Sequence, residues 1–176
     1  MAANKPVPSP LGNTGTEPRK QKITTFLWFD NNAEEAANFY ASIFKNSRIL
    51  KKARYPEGSP GPKGTVMIVE FELDGQEFIA LNGGPHFKFT EAVSLVVHCT
   101  TQEEVDYYWE KLTADGGQES QCGWLKDKFG LSWQIAPDVL LKFWSDAEPA
   151  KAQRVMQAMM PMKKLIIKDL EAAAAG

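Results

Sequence analysis

The sequence predicts an α+β fold of two βαβββ modules followed by C-terminal helices. Three observations carry this. A β-branched and aromatic strand, a capped amphipathic helix and a meander with a tight turn succeed one another over residues 22–84. The same succession returns over residues 85–137, with Thr24 and Ser94 on the opening strands and Phe39 and Trp109 on the helices at the same separation. Residues 138–176 then read as helical. A repeated unit this small cannot bury both faces of its sheet, so the two halves should pair.

Residues 1–21 are rich in Pro, Gly, Asn and Thr without apolar periodicity, and predict a disordered tail. Residues 23–29 (ITTFLWF) are too short for a helix and read as a buried strand. Asn32 and Glu35 have capping-box spacing: Asn32 can accept from the third helical N–H and Glu35 can reach back. Ala36, Phe39, Tyr40, Ile43 and Phe44 then give an apolar helical stripe. Asn46 can take the left-handed conformation that ends the helix. A short strand near residues 48–54 leads into a polar Pro/Gly loop. Residues 65–73 and 76–81 flank Asp74-Gly75, the signal for a two-residue type I′ hairpin.

The second module opens with a strand at residues 92–98. Thr101 and Glu104 form a capping box, and Val105, Tyr108, Trp109 and Leu112 a stripe that Gly116-Gly117 ends. Residues 122–126 and 131–136 form a hairpin around Asp127–Gly130, with Trp124 and Trp133 opposite each other across it. Residues 139–144 make a short apolar turn. Pro149 suits the first turn of a helix reaching Met160, and a further short helix follows Met162. Met156, Met159, Met160 and Met162 suit either a subunit interface or a cover over the chain's own sheet.

Composition narrows the function. A net charge of −2 with no Lys/Arg block speaks against a dedicated nucleic-acid binder. Apolar residues at 43% and charged residues at 24% are globular values, so wholesale disorder is excluded. No apolar run approaches the roughly 20 residues of a membrane span, and the N-terminus lacks a secretory apolar core. Cys99 and Cys122, both placed in strands, lack metal-binding spacing and read as reduced thiols. Together these point to the cytoplasm and away from membranes.

Four segments carry a family likeness: FLWFDNNAEEAANFYASIF, FELDGQEFIALNGGP, GWLKDKFGLSWQIAP and AKAQRVMQAMMPMKKLIIKDLEAA. In this order they resemble PhnB-like proteins of the vicinal-oxygen-chelate (glyoxalase/bleomycin-resistance/dioxygenase) superfamily, often labelled demethylubiquinone methyltransferase-like. The resemblance implies that the modules form a sheet-lined cup with helices outside, and that chains commonly pair as homodimers. In metalloenzyme members it implies a divalent ion held by His, Gln or Glu from four strands. Carried onto this chain, those positions fall at Thr24, at Phe78 or Ala80, at Ser94 and at Gln134. Only Gln134 is a plausible ligand, where about three strong donors are needed. No metal and no cofactor are therefore expected. A rebuilt site from His86, His98, Gln134 and Glu70 is the alternative, against which His86 reads as a solvated loop residue and His98 as a hydrogen-bonded rim residue.

Strand alternation from Thr24 sends Phe26 and Trp28 into the cup, joined by Phe78, Ala80 and Asn82 from the fourth strand. Ser94, His98, Ser132 and Gln134 join them from the second module. Thr24, Phe26, Trp28, Phe78, Asn82, Ser94, His98 and Gln134 are the candidate ligand-binding residues, suited to a small, partly apolar molecule. Trp28 and Asn82 lead. Catalytic patterns are sparse. Neither Ser94 nor Ser132 has a Gly-x-Ser-x-Gly setting, and no Gly-rich S-adenosylmethionine loop follows a strand. Asp30, Glu70, Asp127 and His98 could act as acids or bases, although Asp30 also suits a helix cap and Asp127 a turn. Two functions stay open: a metal-free protein holding a small organic molecule, or an enzyme acting on a carbonyl compound or quinone.

Overall fold

In a computed structural model, described for residues 21–145 and 148–176, the chain forms two four-stranded sheets with helices. The expected tail, apart from Gln21, lies outside the described residues. The first module runs β1 (Thr25–Phe29), α1 (Ala33–Ile43), β2 (Arg48–Arg54), β3 (Val66–Leu73) and β4 (Gln76–Asn82). The second runs β5 (Ser94–Cys99), α2 (Gln102–Thr113), a 3-10 turn, then β6 (Gln118–Glu119), β7 (Trp124–Lys126) and β8 (Ser132–Pro137). The strand orders β1-β4-β3-β2 and β5-β8-β7-β6 are the same pattern, and β1–β4 and β5–β8 are both parallel. The duplication expected from sequence is thus a duplication of topology.

Local chemistry explains most boundaries. Asp74 and Gly75 both have positive φ (45° and 82°), as a type I′ turn requires. Thr101 caps α2 by accepting from the Glu104 N–H at 3.3 Å, while a Glu104 carboxylate oxygen accepts from the Thr100 N–H at 2.7 Å. The cap of α1 differs from expectation. Asn32 makes no side-chain cap bond, and the first helical N–H, that of Ala33, donates instead to Asn82 Oδ1 at 2.8 Å. The cap comes from β4, which a search for local capping pairs cannot see.

Register fixes the faces. Leu27 pairs with Ala80 and Phe29 with Asn82, so Phe78, Ala80 and Asn82 share the α1-covered face with Leu27 and Phe29. The opposite face carries Phe26, Trp28, Ile68, Ile79 and Leu81. This corrects the expectation that Phe78 and Asn82 line one face with Phe26 and Trp28. The physical reason is a one-residue offset between β1 and β4, which exchanges every side chain between faces. In the second module Leu95, Val97, Cys99, Trp133 and Ile135 face α2, while Ser94, Val96, His98, Trp124, Ser132 and Gln134 lie opposite. Trp124 pairs with Gln134 and Trp133 with Leu125, so the two tryptophans are on different faces rather than opposite each other. Cys122 lies before β7 in a left-handed turn (φ 58°), not in a strand.

One core spans the helix-covered faces of both modules. Tyr40 of α1 is buried between Phe71 and Trp133, with ring centroids 6.3 and 5.5 Å away. Its hydroxyl donates to Asp127 Oδ2 at 2.8 Å across the module boundary. Asp127 also accepts from Trp133 Nε1 (2.8 Å) and from the N–H groups of Phe129 (2.8 Å) and Leu131 (3.1 Å). Four donors satisfy a carboxylate that is otherwise sealed from water. Asp127 is therefore a structural anchor as well as a turn residue. Cys99 is fully buried nearby; burial, then the charges of Glu104 and Asp138, push its thiol up to about 12, so it stays protonated.

The C-terminal helices α3 (Val139–Trp144), α4 (Pro149–Met159) and α5 (Ile167–Ala175) form a small core of their own around Leu140, Phe143, Val155, Met159, Leu165 and Leu170. They dock on the second module. The N–H groups of Cys122 and Gly123 donate to the carbonyls of Met162 and Lys163, each at 2.7 Å. Gln102 completes the seam: its Nε2 donates to Leu165 O at 3.2 Å and its Oε1 accepts from Ile167 N at 2.8 Å. Among the described residues no helix is long and apolar enough to cross a membrane.

Candidate functional site

The docked helices turn part of the second sheet's open face into a wall of a cavity of about 440 Å³. Val96 and His98 of β5, Trp124 of β7 and Gln134 of β8 form that wall. Strand alternation alone sets them side by side. Leu140, Leu141, Met156, Met159 and Leu165 form the other wall. The volume falls within the range of small-molecule sites, and the arrangement of apolar walls with a few polar groups on one side is typical of them.

The polar groups are held in place. Gln134 Nε2 donates to Ser94 Oγ at 2.8 Å, which leaves its carbonyl oxygen and its second amide N–H to meet a bound molecule. His98 Nδ1 lies 3.4 Å from Asp138 Oδ1. Cys122 contributes a thiol, with Sγ 3.8 Å from the carbonyl oxygens of Met159 and Met160.

The expected residues divide into three groups. Ser94, His98 and Gln134 share the second sheet's open face, and His98 and Gln134 line the cavity. Ser94 and His98 also meet Phe78 in a groove of about 450 Å³ along the free edge of β5, lined further by Phe44, Tyr108 and Trp133. Thr24 precedes β1, whose Phe26 and Trp28 lie on the open face of the first sheet and do not line the cavity. Phe26 is 53% exposed there. Trp28 has a clear structural use: its Nε1 donates to Gly84 O at 2.9 Å, and its ring meets Phe87 edge-on at 5.0 Å. Asn82 is occupied by the helix cap and by a bond from its Nδ2 to Val66 O at 2.9 Å.

Trp124, Val96 and the C-terminal wall were missed. Val96 stands between Ser94 and His98 on alternate positions, and Trp124 shares a face with Gln134, so both were within reach of the same alternation argument. The wall from α3 and α4 carries no motif.

The residues do not fit the superfamily's divalent ion. With the register fixed, the inward positions are Thr24, Ile79, Ser94 and Gln134, and the Gln134 and Ser94 side chains are bonded to each other. Hydroxyl and alkyl groups replace the imidazole and carboxylate ligands such a site needs. The rebuilt alternative does not assemble either. His86 lines a separate groove beside Tyr55 and Asn82, and Glu70 pairs with Ile79 on the first sheet. Among the described residues no three His, Cys, Asp or Glu side chains converge as a metal site.

Comparisons with known proteins accord with this fold. A family model described as 3-demethylubiquinone-9 3-methyltransferase matches residues 21–136. A PhnB protein from Bacillus cereus is 45% identical, with 66% of this chain and 99% of that chain covered and a TM-score of 0.61. A Pseudomonas aeruginosa protein is 17% identical, covering 67% of this chain and 98% of its own, with a TM-score of 0.55. The fosfomycin resistance protein FosX of Listeria monocytogenes is 18% identical over 68% of this chain and 94% of its own, with a TM-score of 0.46. No curated protein sequence matches. The duplicated strand order and a family match over most of the chain lead to one assignment: the protein belongs to the 3-demethylubiquinone-9 3-methyltransferase family, in which it resembles the PhnB protein of Bacillus cereus.

Proposed function

We infer that the protein binds a small, largely apolar organic molecule, without a metal ion, in the cavity between its second sheet and its C-terminal helices. The observation that carries this is the two-sided lining. Leu140, Leu141, Met156, Met159 and Val96 surround the space, while His98 and Gln134 present polar atoms from one wall. A ligand that binds only the native state raises its melting temperature, so a thermal-shift screen of apolar metabolites, quinones and antibiotics finds it. Met156→Lys, at a half-exposed wall position, should abolish the shift while the circular dichroism stays native. A screen in which nothing stabilises the protein, or a stoichiometric divalent ion in protein purified without chelators, would overturn the reading.

The same reading includes a second copy of the chain. Phe26 is more than half exposed beside Ile79 and Leu81 on the first sheet, and β1 and β5 each end a sheet with a free edge. Burying that face between two chains would remove apolar surface from water. Light scattering showing a monomer at micromolar concentration would remove the dimer from the proposal. The two cysteines are free, which accords with a cytoplasmic setting. An enzymatic reading, chemistry on a carbonyl compound or quinone, is favoured by the family model's name. Turnover of such a compound by purified protein is its test.

A further inference from the structure

One buried hydroxyl has no partner. Ser132 of β8 is 1% exposed, and among the described residues its Oγ is the one buried side-chain nitrogen or oxygen that makes no hydrogen bond. Buried hydroxyls are ordinarily satisfied, so an unsatisfied one marks a place where a partner belongs. The ladder shows its surroundings. Ser132 pairs with Ser94 on one side and with Lys126 on the other, and Lys126 pairs with Gln118. Residues opposite one another share a face, so these form a polar row across the open face of the second sheet. Within that row Ser94 is engaged by Gln134, and Ser132 is left alone.

Ser132, Lys126 and Gln118 line a pocket of about 150 Å³, together with Ser120, Trp124 and Glu91. Trp124 also lines the cavity under the C-terminal helices, so the two spaces adjoin at one side chain. Ser132 and Gln134 stand on the same face of β8, about 7 Å apart along the strand. One face is thus polar at one end and apolar where α3 and α4 cover it. The cation of the polar end is Lys126, whose Nζ binds Glu91 Oε1. Glu91 comes from the linker between β4 and β5, and its side chain is 66% exposed. Such a pair adds little to the stability of the fold. It shows that this lysine takes a carboxylate from outside the sheet. Glu119 does not compete for it, being bonded by Trp109 Nε1 at 2.9 Å and Lys163 Nζ at 3.3 Å.

We propose that this pocket holds the carboxylate of a ligand whose apolar tail lies in the neighbouring cavity, an amphipathic monocarboxylic acid. This rests on the cavity reading above and names the class of molecule. The ligand's carboxylate replaces Glu91 on Lys126. That exchange uncovers Ser132, whose hydroxyl is sealed from water while Glu91 is in place, and the hydroxyl then donates to the head group. The exposed Gln118 amide supplies a further donor at the pocket's edge. One carboxylate leaves as another enters, so the local charge is unchanged. The net gains are a charge-assisted hydrogen bond from Ser132 and burial of the tail.

Octanoate and octanamide share a tail and differ in charge, and calorimetric titration of both at neutral pH tests this. Octanoate should bind the wild-type protein about tenfold or more tightly than octanamide. Lys126→Met should remove that preference. Glu91→Gln, which weakens the competing carboxylate, should tighten octanoate by about threefold or more and hold octanamide within about twofold. Ser132→Ala separates a ligand role from a structural one. Octanoate should weaken by about fivefold, while the melting temperature of the ligand-free protein holds or rises, because an unpaired buried hydroxyl has gone. Equal binding of the two probes, or octanoate affinity untouched by Glu91→Gln or Ser132→Ala, overturns the head-group site and leaves the cavity reading intact. A lower melting temperature of ligand-free Ser132→Ala also counts against the site, since the hydroxyl would then have its partner within the fold. Binding of neither probe overturns both readings.

Discussion

Removing the Tyr40 hydroxyl tests how the two modules are tied together. Tyr40 is fully buried in α1, and its hydroxyl reaches Asp127 of the second module at 2.8 Å. A hydrogen bond to a charged acceptor contributes about 1.5–3 kcal/mol, and Tyr40→Phe deletes one of four such bonds without leaving a donor unpaired. A loss of about 2 kcal/mol is expected at neutral pH, or roughly 4–8 °C in Tm for a chain of this size. The loss should depend on pH. Burial raises the Asp127 carboxyl above its ordinary value, and the bonds from Trp133 and Tyr40 pull it back part of the way. A carboxyl raised in the folded state contributes stability that is fully present below its unfolded value and lost as pH rises through the folded value. Deleting the Tyr40 bond raises it further, so the variant's deficit is largest once Asp127 is ionised. On acidification the deficit should shrink toward the roughly 0.5–1.5 kcal/mol of a bond between neutral groups. Urea denaturation of both proteins at neutral and at acidic pH measures it. A neutral-pH difference below about 0.5 kcal/mol, or a deficit that grows in acid, would refute the reasoning.

Trp28→Ala should cost about 1–3 kcal/mol through the lost bond to Gly84 and the contact with Phe87, while ligand affinity in the cavity stays unchanged, as titration of the variant would show. Gly123→Ala should release the C-terminal helices. Its φ is 83°, and a Cβ would lie 2.8 Å from Ile135 O and 3.0 Å from Leu165, so faster proteolysis within residues 138–176 is the readout. Thr101→Ala should destabilise the chain by about 1 kcal/mol through the lost cap of α2, measured by urea denaturation.

Much of the fold was legible because the signals were local. Asp74-Gly75 and the Thr101–Glu104 box each specify a conformation through their own atoms. The repeat was legible because each module restates the same punctuation. The Asn82 cap was not, since its partner lies on another element, and the sequence around Asn32 offered a plausible substitute. Faces were half legible. Alternation correctly grouped Ser94, His98 and Gln134 within one module. It failed between β1 and β4, where nothing in either strand states the offset. Asp127 looked like a turn residue because it is one; its bonds to Tyr40 and Trp133 depend on how the modules meet. The cavity's second wall was hidden for another reason. An apolar helical stripe reads the same whether it covers its own sheet, a neighbour or a ligand.

Among the described residues the C-terminal helices lie against the open face of the second sheet only, so equivalent positions of the two modules no longer share a fate. On the first module's open face Trp28 is held by Gly84 and Phe87, while Phe26 is more than half exposed. On the second, each change at Val96, Trp124 or Gln134 is felt by α3 and α4. Two modules of one topology are thus unequal in how much variation they tolerate, and the inequality comes from an appendage rather than from either module.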